Sequence, residues 1–157
     1  MIEIAVNNRQ RRLPVNASSL ADAARRVLAE AGADPAQISI AVVDDPEMQR
    51  LNARYLDHDW PTDVLSFVLD DEDALEGEVI VSVDTAARVA PQFGWGCADE
   101  LLLYVVHGSL HLVGYDDQTD DALAEMRAAE ARHLAHWGLT PTYAARDDAA
   151  GQPGSVR

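Results

Sequence analysis

Apolar and polar positions along the 157 residues repeat with two different periods, and the changes of period divide the chain into elements. Ile2, Ile4 and Val6 alternate with Glu3 and Ala5, the pattern of a half-buried strand. Residues 7–12 are polar and turn-prone. Ser18 or Ser19 is then expected to cap a helix whose Leu20, Ala23, Ala24, Val27, Leu28 and Ala31 share one face, closed by Gly32. Ile38, Ile40 and Val42 predict a second strand, with Ala41 and Val43 on its other face. Asp44-Asp45-Pro46 starts a helix, a carboxylate cap followed by proline in the first turn, with Met48, Leu51 and Tyr55 facing inward. A polar loop over 57–63 leads into the apolar run 64–69, which reads as a strand buried on both faces.

An acidic connection over 70–76 ends at Gly77, and residues 78–83 predict a fourth strand. The acidic spacing is not that of an EF-hand and reads as a solvated loop. Asp84 or Thr85 is expected to cap a short helix that bends or ends near Pro91, followed by a turn over 93–96. The next helix begins near Ala98 and contains Leu101-Leu102-Leu103-Tyr104-Val105-Val106, a run with no polar face, so it is expected to be buried. Thr119, Asp120 and Asp121 suit the start of a last helix. Its Leu123, Met126, Leu134 and Trp137 share a face, and Gly138 ends it. His133 and His136, near its C-terminus, read as charged partners of the helix dipole rather than as ligands.

The order β-α-β-α-β-β-α-α-α predicts an α+β fold: a mixed four-stranded sheet packed against five helices. The two central strands are expected to pair as a hairpin. A single domain over 1–138 is expected, with 139–157, rich in Ala, Asp, Gly and Pro, as a disordered tail. No apolar run approaches the roughly 20 residues that span a bilayer. The start shows no signal-peptide pattern, and one cysteine, Cys97, permits no internal disulfide, so a cytoplasmic location is expected.

Net charge changes the picture. At -15, with 12 basic residues that are all arginine, the chain cannot present nucleic acid with a broad positive face. Any such contact has to be local. The densest basic cluster, Arg9, Arg11 and Arg12, is a candidate phosphate contact, with a solvated turn as the plainer reading.

The chemistry concentrates at the end of the buried helix, in His107-Gly108-Ser109-Leu110-His111-Leu112-Val113-Gly114-Tyr115-Asp116-Asp117. His107 and His111 are four apart and share a helical face, so both imidazoles can point at one atom. Gly114 sits where a helix ends in a left-handed residue, and the returning chain can offer Asp116 or Asp117 to the same point. Two histidines and a carboxylate leave an open position, the usual form of a catalytic zinc. The spacing is that of the long zinc-protease motif, but Gly108 stands where that motif has its general-base glutamate, so peptidase chemistry is not expected.

Three blocks resemble the YbeY family of metal-dependent endoribonucleases, or rRNA maturation factors. Residues 107–117 resemble its HGxLHLxGYDH signature, Thr62-Asp63-Val64-Leu65-Ser66-Phe67 its TDVLSF block, and Gly77-Glu78-Val79-Ile80-Val81-Ser82 its G-[DE]-[IV]-x-[IV]-S strand. Leu51-Asn52 fits as well. The resemblance spans about residues 2–138 and implies a zinc-dependent endoribonuclease acting in rRNA maturation and ribosome quality control. It implies His107, His111 and Asp117 as metal ligands, and rRNA precursors, ribosomal subunits or ribosome-associated proteins as partners. Two positions depart from it: Asp117 stands where the family has histidine, and Leu56 where it has arginine, a candidate phosphate contact that Arg50 or Arg54 would have to replace. A catalytic residue is not assigned. The alternative is a ribosome-assembly or protein-binding module with a structural metal.

Overall fold

The computed structural model describes residues 1–56 and 63–148. Most of the polar loop expected over 57–63, and the end of the tail, lie outside the described residues. The elements are β1 (Ile2–Asn8), α1 (Ala17–Glu30), β2 (Ala36–Val43), α2 (Asp45–Leu56), β3 (Val64–Asp70), β4 (Leu75–Ser82), α3 (Val83–Val89), α4 (Cys97–Leu112), α5 (Asp120–Leu134) and α6 (Tyr143–Asp148). Short 3-10 turns follow α3 and α5. The sheet order is β1-β2-β4-β3, with β1, β2 and β4 parallel and β3 antiparallel to β4. This is the mixed four-stranded α+β arrangement that the pattern predicts.

The two faces of the sheet carry different loads. Ile38, Ile40, Val42, Val79 and Val81 pack with α1, α4 and α5, while Ala41, Val43, Leu65 and Ile80 pack with Met48 of α2. β3 lies at the sheet edge, and only its start is buried on both sides. Val68 and Leu69 are exposed, so the expectation of a fully buried strand applies only to Val64 and Leu65. Two caps also differ from expectation. Asn16 caps α1, its side chain accepting from the Ser19 amide at 3.2 Å, and Ser82 caps α3 by accepting from the Thr85 amide at 3.2 Å. Asparagine caps as well as serine, and in both cases the capping residue sits upstream of the expected one.

The starts of α2 and α3 are tied together. Asp45 accepts hydrogen bonds from Ser82 at 2.6 Å, Thr85 at 2.8 Å and Arg88 at 2.9 Å, and the Asp45 amide donates to Asp84 at 2.8 Å. Burial works to raise the Asp45 carboxyl pKa, but the bonds from Ser82, Arg88 and Thr85 outweigh it and hold the pKa below the usual 3.8.

α4 is buried on all sides, with Leu101 to Val106 between 0% and 6% exposed. Each such aliphatic side chain contributes about 1.5–3 kcal/mol on burial. The helix approaches the sheet most closely at Gly108. A Cβ there would lie 2.7 Å from Val79 Cγ1 and 2.9 Å from Ser66 Oγ, and the Gly108 carbonyl accepts from that hydroxyl at 3.1 Å. The segment 139–157, expected to be a disordered tail, departs from that expectation at its start. Tyr143–Asp148 forms α6, and Arg146 is buried there in a two-bond ion pair with Glu100 of α4, at 2.9 and 2.7 Å. Its guanidinium lies 3.9 Å over the Phe93 ring. Composition alone hides this: one buried arginine with a matching buried glutamate, rather than an apolar stripe, docks the helix.

Two outcomes follow from this packing. Alanine at 108 gains about 0.5–1 kcal/mol of helix propensity but overpacks against the fully buried Val79, which costs about 1–3 kcal/mol. Gly108→Ala is therefore expected to lower the urea midpoint, and an unchanged midpoint would place α4 farther from the sheet. For Asp45, a folded pKa below the unfolded one means stability that is complete above about pH 4 and lost as pH falls through the folded value. Asp45→Asn is thus expected to destabilise at pH 7, with the difference from the parent shrinking in urea titrations taken progressively below pH 4.

Candidate metal centre

α4 carries His107 and His111 one turn apart on the same face, and the turn after Gly114, whose φ is 104°, brings Asp117 back to them. The imidazole Nε2 atoms are 3.1 Å apart, Asp117 Oδ2 is 3.9 Å from His111 Nε2, and one donor atom from each residue lies within 4.8 Å of the others. His107 is buried, and His111 and Asp117 are partly so. Asp116 is exposed, and its Oδ1 accepts from the Gln118 amide at 3.1 Å, so it shapes the turn and stays outside the group.

Hydrogen bonding fixes which nitrogens carry protons. His107 Nδ1 lies 2.6 Å from Glu130 Oε2, and His111 Nδ1 lies 3.1 Å from the Tyr115 carbonyl oxygen. A carboxylate and a carbonyl only accept, so each ring donates from Nδ1 and presents a bare lone pair at Nε2. Asp117 Oδ2 is buried with no hydrogen-bond partner among the described residues. Three acceptors therefore converge with no donor between them, an arrangement that repels itself unless a cation is present. At His111 a second proton is disfavoured. Burial pushes the His111 pKa below its usual 6.5, and His107 adds to the push, against Asp117, the Tyr115 carbonyl and Glu130.

The donor set suits a divalent ion. A tetrahedral zinc about 2.0–2.1 Å from each donor asks for roughly 3.3 Å between donors; two of the three separations are 3.1 and 3.9 Å and the third is within 4.8 Å, so a small closure of the Asp117 side chain completes the set. Three protein donors leave one position open.

Glu130 is the functional residue that periodicity conceals. It falls on the inward face of α5 with Met126 and Leu134, and it is 2% exposed. A carboxylate at a core position of an amphipathic helix is the signal that could have found it. Its partner Tyr143 lies beyond the expected domain end. The charged-partner reading of His133 is corrected: the ring is buried, and burial pushes its pKa down, so the neutral form is favoured despite Glu30 at 3.5 Å. Gly108 faces the sheet and has no room for a side chain, so the absent protease glutamate could not be restored there.

The arginines sort by partner. Arg9 pairs with Glu47 at 2.5 Å and Arg12 with Asp84 at 3.0 Å, which favours the plainer reading of that cluster. Arg50 and Arg54 have no carboxylate partner among the described residues. They line a groove of about 670 Å³ with Tyr55 and Phe67, whose rings are 5.5 Å apart, and with the carboxylates of Glu47, held by Arg9, and Glu78. The Arg54 guanidinium lies 5.3 Å from the centroid of the Tyr55 ring.

Asp117→Ala is expected to lose most of the metal that the purified protein binds, whereas Asp116→Ala is expected to keep it. The reverse pattern would exchange their roles, and metal retained by both variants would remove this turn from the site.

Comparison with known proteins places the chain in a family. Residues 5–138 match the family described as Endoribonuclease YbeY. The chain is 38% identical to "Endoribonuclease YbeY" of Moorella thermoacetica, covering 88% of this chain and 99% of that one. It is 39% identical to the protein of the same name from Salinibacter ruber, over 76% and 82% of the two chains. A solution structure from Thermotoga maritima superposes with a TM-score of 0.60 at 27% identity, covering 98% of this chain and 99% of the other. With its signature blocks, its sheet and its paired histidines in place, the chain belongs to the YbeY family.

Proposed function

We propose that this protein is a zinc-dependent endoribonuclease acting in rRNA maturation and ribosome quality control, with His107, His111 and Asp117 holding the metal. One observation carries the reading: three acceptor atoms converge without a donor, in a chain that belongs to an endoribonuclease family. When bound there, zinc supplies a Lewis acid that makes a water acidic and offsets charge on a phosphoryl group. The chain's own residues prepare that position. Glu130 and the Tyr115 carbonyl hold protons on the two Nδ1 atoms and so keep both Nε2 lone pairs turned inward. Buried α4 closes the site from behind, and the partial exposure of His111 and Asp117 leaves the approach open.

The substrate side rests on Arg50 and Arg54 beside Tyr55 and Phe67. Guanidinium groups suit phosphate, and aromatic rings suit unstacked bases, the combination that single-stranded RNA meets in its binding sites. These two arginines take the part of the arginine that the family pattern places at position 56. The partners are rRNA precursors and the ribosomal subunit that carries them, in the cytoplasm. No helix among the described residues is long and apolar enough to cross a membrane.

The test is cleavage of structured RNA with single-stranded segments by the zinc-loaded protein. Activity is expected to stop with chelator, return with zinc, and be absent in Asp117→Ala. Changing Arg50 and Arg54 to glutamine is expected to weaken RNA binding and flatten the slope of log affinity against log salt by about 1.4, as two lost single-strand contacts require. An unchanged slope would move the RNA path elsewhere. A protein that holds zinc and binds ribosomal subunits but cuts no RNA would instead favour an assembly module with a structural metal.

A further inference from the structure

We propose that α6, which lies beyond the residues matched by the family, is a latch on the metal centre, and that Tyr143 is a positioning residue acting through Glu130 on His107. The inference rests on the metal reading above and adds to it a segment that the family match, over 5–138, does not reach.

The contacts form one chain. The Tyr143 hydroxyl donates to Glu130 Oε1 at 2.6 Å, and the other oxygen of that carboxylate, Oε2, accepts from His107 Nδ1 at 2.6 Å. Glu130 is 2% exposed. Two bonds in different directions fix its plane, and the plane fixes the imidazole that it faces. Bonds of this kind, in which one partner is charged, are the short and strong ones.

α6 cannot provide this unaided. At six residues it is too short to be stable alone. Side chains dock it instead. Arg146 enters the body to meet Glu100 with two bonds, at 2.9 and 2.7 Å. Arg127 of α5 lies 4.7 Å over the Tyr143 ring and pairs with Asp147. The helix is thus held by side chains of α4 and α5, the two helices that carry His107 and Glu130.

Docking and metal binding are therefore coupled, and coupling between binding events is reciprocal. If the docked latch raises zinc affinity by some factor, zinc must favour docking by the same factor. A tyrosine that merely packed would alter stability without this reciprocity.

The experiment uses the full chain and zinc alone. Zinc affinity is measured by competition with a chromogenic chelator, and docking by hydrogen exchange of the amides of residues 143–148. Tyr143→Phe, which keeps the ring and removes the hydroxyl, is expected to lower zinc affinity about 3–10-fold, at or below the roughly 10–100-fold typical when a ligand's direct partner is lost. In the cobalt-substituted protein it is also expected to shift the visible absorption bands. In the parent, zinc is expected to slow exchange in α6, and in the variant to slow it less by the same factor. Arg146→Gln undocks the helix from its other end with Tyr143 intact, and is expected to reproduce the affinity loss. Tyr143→Phe with the parent's affinity and spectrum, or α6 exchange indifferent to zinc, would overturn the latch. A parent protein that binds no zinc would overturn the metal reading and the latch with it.

Discussion

α4 is surrounded by the rest of the protein, and that confinement organises the site. A polar atom buried without a partner costs about 1–3 kcal/mol, so most polar groups the helix carries inward are answered locally. Glu100 is answered by Arg146, the Gly108 carbonyl by Ser66, and His107 Nδ1 by Glu130. What remains unanswered at the helix end, among the described residues, is the Ser109 hydroxyl, two imidazole lone pairs and Asp117 Oδ2, and only the last three point at one another. The candidate metal position is the residue of this accounting: a place where the fold has supplied acceptors and withheld donors.

Gly108 makes the confinement possible. Any side chain there would strike Val79 or Ser66 and push the helix off the sheet, carrying both histidines away from the β3 edge. Hence the position next to the first histidine, which serves catalysis in one kind of zinc enzyme, serves packing here. The same spacing of ligands on a helix is compatible with either use. The direction in which the intervening residue points decides between them.

Much of this was legible in the sequence. Histidines at a four-residue spacing, a glycine at the helix end and an aspartate three residues later place a site because each offset corresponds to a fixed direction in a helix or turn. The strands and their faces were legible for the same reason, as Ile38, Ile40 and Val42 against Ala41 and Val43 show. Three things were harder. Asn16 and Ser82 cap in place of neighbours with equal chemistry, and only backbone geometry separates such candidates. Glu130 was hidden because one carboxylate on an apolar face looks like an interruption of the pattern. α6 was hidden because Tyr143 and Arg146 dock by pairing with distant carboxylates, a long-range relation that leaves no local period.

Charge sets how this protein can meet an anionic polymer. With 27 acidic residues against 12 arginines, the long-range field repels RNA, and most of the described arginines are occupied with aspartates and glutamates. With the proposed divalent ion bound, the site would add little attraction of its own, because the two carboxylates of Asp117 and Glu130 together match its charge. A histidine at position 117 would have left that centre with a net positive charge. In the function proposed above, attraction for phosphate therefore falls to short-range contacts with arginines that have no carboxylate partner among the described residues, Arg50 and Arg54 among them. Screening by salt acts on the general repulsion as well as on these contacts, and the two effects oppose each other. Recognition in that proposal is consequently governed by fit at close range, by bases that can be unstacked and a phosphate that can reach the converging acceptors, and much less by electrostatic capture from a distance.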